Sequence, residues 1–261
     1  MSAQAHQSDP KILDRRTLPD DHRMLAKLVR PGMAVLDVGC GTGAITAGIA
    51  EAVGPAGRVV GVDRDERNLS RARQEHGGTA NLFFERADAT ELAYRAEFDI
   101  VTAARTLQWI ADPGRAVAGM VRAAKPSGML VVLDYNHTKN AWMPGPPAEF
   151  RVFYRAFLAW RQANGWDNEM ADHLPGLFES AGLREIESFA QDEVVRRGDV
   201  DLEGRSALWS GVIDHVGTQI AGAGFCTEAE CRVAGEVYAA WVRGALVEQR
   251  LAMRAVTGLV G

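Results

Sequence analysis

An apolar run that passes through three alternating glycines into a helix constrains this chain more than any other feature. Residues 34–38 have the composition of a buried strand, and residues 44–53 have that of a helix. Gly39, Gly41 and Gly43 lie between these two segments. A glycine-rich turn of this kind lets a ligand approach the backbone and the helix N-terminus closely. The pattern therefore predicts a ligand site at the end of the first strand.

Apolar strands and helices alternate along the first half of the chain. The predicted strands are residues 34–38, 58–63, 82–86, 98–103 and 129–134, and the predicted helices include residues 20–29, 44–53 and 66–75. This alternation is typical of a parallel sheet with helices on both faces, which binds ligands at the carboxyl ends of its strands. Asp63, Asp88, Arg105 and Asp134 all fall at or just after such ends.

After Asp134 the alternation stops and aromatic residues become frequent. Phe150, Phe153, Tyr154 and Phe157 have the spacing of one helix face. The remaining expected elements are helices over residues 174–181, 202–221 and 227–244 and strands over residues 185–195 and 247–257. The aromatic segment follows the ligand edge of the sheet, so we expect it to form an acceptor lid, although such a stripe is also typical of an ordinary core.

Composition narrows the classes of protein. The chain has 261 residues, of which 47% are hydrophobic, and a net charge of -5. This balance favours a globular protein without a nucleic-acid partner, and no apolar run reaches the ~20 residues of a membrane span. Residues 1–10 lack the apolar region of a secretory signal. Three cysteines, Cys40, Cys226 and Cys231, predict a reducing, cytoplasmic setting with no disulfide framework and no metal site.

The glycine pattern by itself suits two ligands. Gly39, Gly41 and Ala44, with Asp63 about twenty residues on, satisfy a loose dinucleotide fingerprint. Asp37, however, stands two residues before the first glycine, where its charge would repel a pyrophosphate. The same carboxylate would attract a sulfonium ligand that carries an ammonium group. The residues therefore favour S-adenosylmethionine over a nicotinamide dinucleotide.

Several motifs in order resemble class I S-adenosylmethionine-dependent methyltransferases, in particular the small-molecule branch that includes ubiquinone/menaquinone biosynthesis. The resemblance covers residues 21–135, about half of the chain. The matching segments are residues 35–43, 61–63, 86–92, 98–101, 107–109, 112–113 and 125–130. The family implies a Rossmann-like, doubly wound α/β fold. Its seven-stranded sheet has the order 3-2-1-4-5-7-6, with strand 7 antiparallel.

The resemblance also implies a donor site. Gly39, Cys40 and Gly41 would present backbone groups to the methionine portion, and Asp37 would attract its ammonium group. Asp63 would accept hydrogen bonds from both ribose hydroxyls.

The adenine end of this implied site lies on the following loops. Arg64 would border the adenine, Asp88 would accept from its amino group, and the Ala89 amide would face a ring nitrogen. Arg105, after the fourth strand, would contact the methionine end, or it would pair with a surface acid.

Candidates for acceptor chemistry follow the fifth strand. His137 is the expected general base, because an imidazole titrates near neutral pH. Tyr135 and Tyr154 are further catalytic candidates. Four cationic or amide side chains of the aromatic segment would bind a carboxylate or phosphate on the acceptor. Alternatively, these side chains would pair with nearby acids. The four are Arg151, Arg155, Arg161 and Asn168.

Together these patterns predict one methyltransferase domain. Its core would comprise residues 21–135, 174–198 and 246–261, its acceptor lid residues 136–173 and 199–245, and residues 1–20 a tail or lid. We expect transfer of a methyl group from S-adenosylmethionine to a small aromatic or apolar metabolite, at oxygen, nitrogen or carbon. The alternatives are methylation of RNA or protein, and a non-methylating homologue. The sequence does not indicate an oligomeric state.

Overall fold

The computed structural model describes residues 10–261, apart from the side chain of Lys11. A seven-stranded sheet has the order β3-β2-β1-β4-β5-β10-β7. Its strands are β1 Ala34–Val38, β2 Arg58–Asp63, β3 Leu82–Arg86, β4 Phe98–Ala104, β5 Ala124–Tyr135, β7 Arg184–Ala190 and β10 Met253–Leu259. Strand β10 runs antiparallel to both β5 and β7, whereas the pairs among β1 to β5 are parallel. The predicted fold class, strand order and antiparallel last strand are confirmed.

Eleven helices surround the sheet in the described part of the chain. They are α1 Pro10–Leu13, α2 Leu18–Asp21, α3 Arg23–Leu28, α4 Ala44–Val53, α5 Glu66–His76, α6 Pro113–Ala123, α7 Ala148–Ala163, α8 Met170–Ser180, α9 Leu202–Ser206, α10 Leu208–Gly222 and α11 Glu228–Gly244. Helix α6 begins after Asp112, whose side chain caps it, and it has a proline in its first turn. No helix in residues 10–261 is long and apolar enough to cross a membrane.

Two hydrophobic cores cover the faces of the sheet. One contains Val35 and Val59 of the sheet with apolar residues of α3, α4 and α5, among them Ile49. The other joins Val101 and Val132 to residues of α6 and α8. Strands that are buried on both faces explain the continuous apolar runs in the sequence.

A third core lies beyond the carboxyl ends of the central strands. It joins α7, α10 and α11 to sheet residues such as Leu133 and Ala255. A small antiparallel sheet closes this region, in the order β6-β9-β8. Its strands are β6 Ala141–Met143, β8 Glu193–Arg196 and β9 Glu248–Leu251. This second sheet was not predicted.

The small sheet accounts for two wrong strand predictions. The single strands expected over residues 185–195 and 247–257 are each divided, with one part in each sheet. The segment over residues 247–257 passes from the small sheet to the large sheet at Ala252. The N–H of Ala252 donates to Asn140, and its carbonyl accepts from Asn136. The segment over residues 185–195 passes between the two sheets at Asp192, whose carboxylate accepts from the Met253 N–H. Contacts between residues so far apart in the chain do not alter the local hydrophobic pattern, so nothing in the sequence indicates that either strand is divided.

Two predicted helices are also interrupted. The helix expected over residues 20–29 breaks at His22, whose backbone leaves the helical region (φ -142°, ψ 59°). Its buried ring forms a 3.1 Å hydrogen bond with the Thr102 hydroxyl on β4. The helix expected over residues 202–221 is divided into α9 and α10. Tertiary contacts override the local helical tendency at His22.

Part of the predicted N-terminal tail or lid is ordered over the sheet. Asp14, next to α1, forms an ion pair with Arg71 of α5 at 2.5 Å. Leu13 lies against the glycine loop, since its Cδ1 is 3.0 Å from the position of a Cβ on Gly41. Residues 1–9, which the same prediction covered, lie outside the described residues.

Candidate functional site

The loop after β1 has the close backbone approach that its glycines predict. Gly39, Gly41 and Gly43 all have positive φ, which side chains rarely adopt. A Cβ on Gly39 would lie 2.4 Å from the side chain of Thr106. The N–H groups of Gly39 and Cys40 donate to the Val62 carbonyl, which ties the loop to β2. The loop leads directly into α4 and places the helix N-terminus at the ligand edge.

Two acids flank this loop without a salt-bridge partner in residues 10–261. Asp37 is 4% exposed and accepts a 2.6 Å hydrogen bond from Thr46. Burial raises its pKa to about 6, and the nearby charge of Asp63 contributes. Burial also raises the pKa of Asp63, which accepts from the backbone N–H groups of Gly41 and Asp65. Buried carboxylates of this kind are stabilised by a cation, so they fit the positively charged S-adenosylmethionine.

The expected adenine groups lie on neighbouring loops of the same edge. Asp88 follows β3, is exposed, and accepts from the backbone and hydroxyl of Thr90. Ala89 begins a short 3-10 turn beside it. Arg64 is exposed after β2, and its charge acts on both Asp63 and Asp88. Arg64 is thus near enough to both acids to lower the pKa of each, and the adenine contacts stay a prediction.

Cys40 belongs to the loop through its backbone. Burial raises the pKa of its thiol well above the ordinary value, and the charges of Asp37 and Asp63 add to the effect. The thiol therefore stays protonated at neutral pH and is not a nucleophile.

Arg105 forms several contacts within the protein. Its guanidinium donates to the Tyr135 hydroxyl at 3.1 Å and to the Asp21 carbonyl at 3.2 Å. It also forms ion pairs with Glu193 and Asp21. Protein acceptors therefore contact all three guanidinium nitrogens, and the contact with the methionine portion stays a prediction. The alternative that Arg105 pairs with acids is the one observed, although the pairs are buried.

A cavity of about 80 Å³ lies among α1, the loops that follow β4 and β5, and the helices α7 and α10 of the predicted lid. Its aromatic walls are Trp109, Tyr135, Phe157 and Trp209. Polar side chains also face it, namely Arg16, Arg105, Gln108, His137 and Asn140. Ile12 and Leu13 of α1 close it on the side of the glycine loop. An apolar enclosure with a few polar groups is typical of a small-molecule site.

His137 is held inside this cavity by rings and by one amide. Its ring stacks on Tyr135 with centroids 5.2 Å apart and meets Phe157 edge to face at 5.6 Å. Its Nε2 is 2.6 Å from Oε1 of Gln108, and the amide nitrogen of Gln108 donates to the Arg105 carbonyl. The Gln108 oxygen can only accept, so the proton lies on Nε2 of His137 and the basic lone pair on Nδ1.

Tyr135 and Tyr154 take different positions. Tyr135 lines the cavity, and burial raises the pKa of its phenol, so it stays protonated. The hydroxyl of Tyr154 donates to the backbone carbonyl of His137 at 2.6 Å and accepts from Asn140. Tyr154 is not among the residues that line the cavity, and burial raises its pKa as well. We therefore correct its assignment from catalytic candidate to a residue that positions His137.

The aromatic helix contributes less to the cavity than expected. Of the stripe on α7 only Phe157 lines it, while Phe150 stacks on Tyr238 within the lid core at 4.3 Å. Arg161 is buried, lies over Trp109 and donates to the carbonyls of Gln108 and Asp167. These carbonyl partners hold it in the predicted lid and it does not line the cavity, so its role in acceptor recognition stays a prediction.

Three residues of the cavity were not predicted as functional. Arg16 fell in the predicted tail or lid, Gln108 was only part of a family motif, and Trp209 was covered only by the lid predicted over residues 199–245. No local spacing connects them, because they come from three distant parts of the chain. Among residues 10–261 no group of three His, Cys, Asp or Glu side chains could hold a metal ion.

Sequence comparison agrees with the geometry. A family model described as "Methyltransferase domain" matches residues 30–171. Demethylmenaquinone methyltransferase of Staphylococcus carnosus is 31% identical over 176 residues, which are 63% of this chain and 73% of that protein. The ubiquinone/menaquinone biosynthesis C-methyltransferase UbiE of Saccharophagus degradans is 37% identical over 117 residues, 43% of this chain and 47% of that protein.

Structural comparison shows the same fold. A S-adenosylmethionine-dependent methyltransferase from Aquifex aeolicus matches with a TM-score of 0.56 and 18% identity. The match covers 98% of this chain and all of that one. The likeness therefore extends through the lid region as well as the sheet.

Proposed function

Because the chain belongs to the class I S-adenosylmethionine-dependent methyltransferases, with its relatives in the ubiquinone/menaquinone branch, we propose that it methylates a small aromatic metabolite in the cavity beside the glycine loop. The position of His137 in the aromatic wall carries this proposal. The cavity adjoins the donor loop through Leu13, so an acceptor there lies next to the predicted methyl donor.

S-adenosylmethionine supplies an activated methyl group on a sulfonium centre. The residues of the chain then have two tasks, to align the acceptor and to remove its proton. Trp109, Phe157 and Trp209 offer flat apolar surfaces that orient an aromatic ring. Fixing two reactants in a productive geometry supplies a large part of the rate acceleration in such transfers.

His137 removes the proton in this proposal. Gln108 holds the imidazole through Nε2, so Nδ1 accepts the acceptor proton as the new bond to methyl forms. Tyr154 fixes the backbone of His137 from the other side. A phenol would provide a suitable acceptor, because removal of its O–H proton makes the oxygen, or the ring carbon conjugated with it, nucleophilic toward the methyl group. When the ring carbon is methylated, it then loses its own proton as the ring becomes aromatic again.

The acceptor also has to bring an oxygen. The indole N–H of Trp209 is buried and has no hydrogen-bond partner in residues 10–261. An unpaired buried donor costs free energy, and an oxygen on a ligand would relieve that cost. The cavity is smaller than the ~150 Å³ that holds a benzene molecule, so the ring enters when α1 or the lid moves.

The test is turnover. The purified protein is incubated with S-adenosylmethionine and a panel of phenols, hydroquinones and aromatic amines, and S-adenosylhomocysteine is quantified by chromatography. We expect turnover with a subset of the phenols or hydroquinones. His137→Gln, which keeps the size and polarity of the side chain, should lower turnover by about 10²- to 10⁴-fold with an unchanged donor Kd.

The control is Tyr154→Phe. It removes a hydroxyl that we assign to positioning, so turnover should fall by much less than in His137→Gln. Full activity of His137→Gln would exclude His137 as the base, and loss of activity only in Tyr154→Phe would return that role to Tyr154. Protein that does not bind the donor at all would overturn the proposal.

A further inference from the structure

One cation in the cavity, Arg16, has no hydrogen-bond acceptor among the described residues. Arg16 follows α1 and lines the cavity together with Leu13 and Arg105. Its guanidinium makes no hydrogen bond and no ion pair with any residue in 10–261. Burial lowers its pKa, and the neighbouring charge of Arg105 adds to this effect. Residues 10–261 therefore supply no directly bonded anion to this half-buried charge, and an anion on a ligand would stabilise it.

The nearby acids do not supply that anion. Glu193 and Asp21 are within ion-pair distance of Arg105, which uses both of them. They act on Arg16 only at longer range. The adjacent Arg15 shows the contrast, since its side chain is 65% exposed and lies 4.0 Å from Asp201. The fold therefore places two neighbouring arginines in different surroundings, one in water and one in the cavity.

We propose that Arg16 binds a carboxylate of a ligand that enters this cavity. A guanidinium forms two parallel hydrogen bonds with a carboxylate, and the low local polarity strengthens them. Arg105 completes a positive end of the cavity while remaining paired with its own acids. The inference rests on the proposed function, because it assumes that methyl donor and acceptor meet at this place.

The carboxylate has two possible sources. Arg16 also lines the surface cleft that includes Ala44 and Ala47 at the start of α4, next to the glycine loop. The methionine carboxylate of the donor would lie on this side. On the other side are Tyr135 and Trp209, where an aromatic acid would place its ring with the carboxylate toward Arg16. Both ligands present the same group to the same side chain.

Calorimetric binding to the full chain separates the sources. The donor arm compares S-adenosylhomocysteine with 5′-methylthioadenosine, which lacks the amino-acid carboxylate. The acceptor arm compares benzoate with the neutral benzamide, each titrated into protein saturated with S-adenosylhomocysteine. The variants are Arg16→Gln and Arg16→Lys, and Arg15→Gln is the matched control. Thermal unfolding of each variant checks that it is folded.

Two results support the proposal. If the donor supplies the carboxylate, Arg16→Gln weakens S-adenosylhomocysteine binding by about tenfold or more and leaves methylthioadenosine unchanged. If the acceptor supplies it, Arg16→Gln weakens benzoate to the same extent and leaves S-adenosylhomocysteine and benzamide unchanged. In either case Arg16→Lys, which keeps the charge, recovers part of the affinity, and Arg15→Gln matches the wild type.

Other results overturn it. Unchanged affinities for both carboxylate probes would exclude an anion-binding role for Arg16. An equal loss for charged and neutral probes would assign Arg16 to closure of the cavity instead. Wild-type protein that binds no S-adenosylhomocysteine refutes the proposed function itself, whereas wild-type binding with an unaffected Arg16→Gln variant refutes only this inference.

Discussion

At the scale of single residues, the two acids beside the glycine loop carry most of the argument about the donor. Asp37 and Asp63 are close enough for the charge of Asp63 to raise the pKa of Asp37. Neither acid has a salt-bridge partner in the described residues. A protein that buries carboxylates without a cation sacrifices stability at that site. A cationic ligand recovers this loss on binding.

Asp63 gives the first prediction. Asp63→Ala removes a charged acceptor from the proposed ribose site, so donor affinity should fall by about tenfold or more. Isothermal titration with S-adenosylhomocysteine measures the change. Glu66→Gln, on the exposed first turn of α5, is the control and should bind as the wild type does. Equal affinity of Asp63→Ala and wild type would exclude the ribose contact.

Asp37 predicts a pH dependence of binding. Burial raises its pKa to about 6, so the carboxylate becomes charged as the pH rises through that value. Donor affinity should therefore increase between pH 5 and pH 7.5, because only the ionised form attracts the ammonium group. The Asp37→Asn variant should bind more weakly at pH 7.5 and lose this part of the pH dependence. Parallel pH profiles of the two proteins would contradict the assignment.

The same group has the opposite effect on the ligand-free protein. A carboxyl whose pKa is higher in the folded state stabilises the fold when protonated, and this contribution is lost as the pH rises through about 6. Thermal unfolding without ligand should show this loss in the wild type relative to Asp37→Asn. Donor binding should then offset it.

At the scale of elements, the loop between β1 and α4 depends on a glycine at its first position. Gly39 has a φ of 78°, and its missing Cβ leaves room for Thr106 on the loop after β4. Gly182, after α8, has nearly the same φ of 79° but nothing within 4 Å of its Cβ position. A side chain at either position would strain the backbone, but only one at Gly39 would also clash with Thr106. Comparing the two positions therefore distinguishes backbone strain from steric contact.

Alanine at these two positions gives the next prediction. Both variants should lose stability from the left-handed backbone, by about 1–2 kcal/mol. Gly39→Ala should lose about 1–3 kcal/mol more, because its methyl group overlaps the Thr106 side chain. Denaturant unfolding measures both, and donor binding should fail only in Gly39→Ala. Equal losses would show that Thr106 moves aside easily.

At the scale of the whole molecule, the lid is part of one folded unit with the sheet. The core of the lid includes Leu133 of β5 and Ala255 of β10, which belong to the large sheet. Strand β9 continues into β10 after Ala252, so the small sheet and the large sheet share one stretch of chain. The lid cannot lose its packing without exposing apolar surface of the sheet.

This arrangement predicts a single unfolding transition. Far-ultraviolet circular dichroism, which reports the helices and strands, should give the same midpoint as tryptophan fluorescence, which includes the lid residue Trp209. S-adenosylhomocysteine at a hundred times its Kd should stabilise the unit by about 2.7 kcal/mol. An earlier transition in fluorescence alone would mean that the lid unfolds separately.

The sequence by itself determined the large sheet and the ligand edge. Apolar runs, glycines and acids at strand ends are local patterns, and the order of strands came from a resemblance whose motifs are contiguous in the chain. The same patterns placed Asp37, Asp63 and His137 at the edge where the structure has them.

Only the tertiary structure decided which residues line the cavity in which we propose that the acceptor binds. Arg16, Gln108 and Trp209 reach one cavity from segments that are far apart in sequence, and Arg105 turns to Glu193 some ninety residues away. The small sheet likewise depends on pairing between distant strands. Local periodicity indicates which face of an element is buried, but it does not indicate which distant side chain lies opposite. The cavity is built from those long-range contacts, so its lining could not be predicted from the sequence.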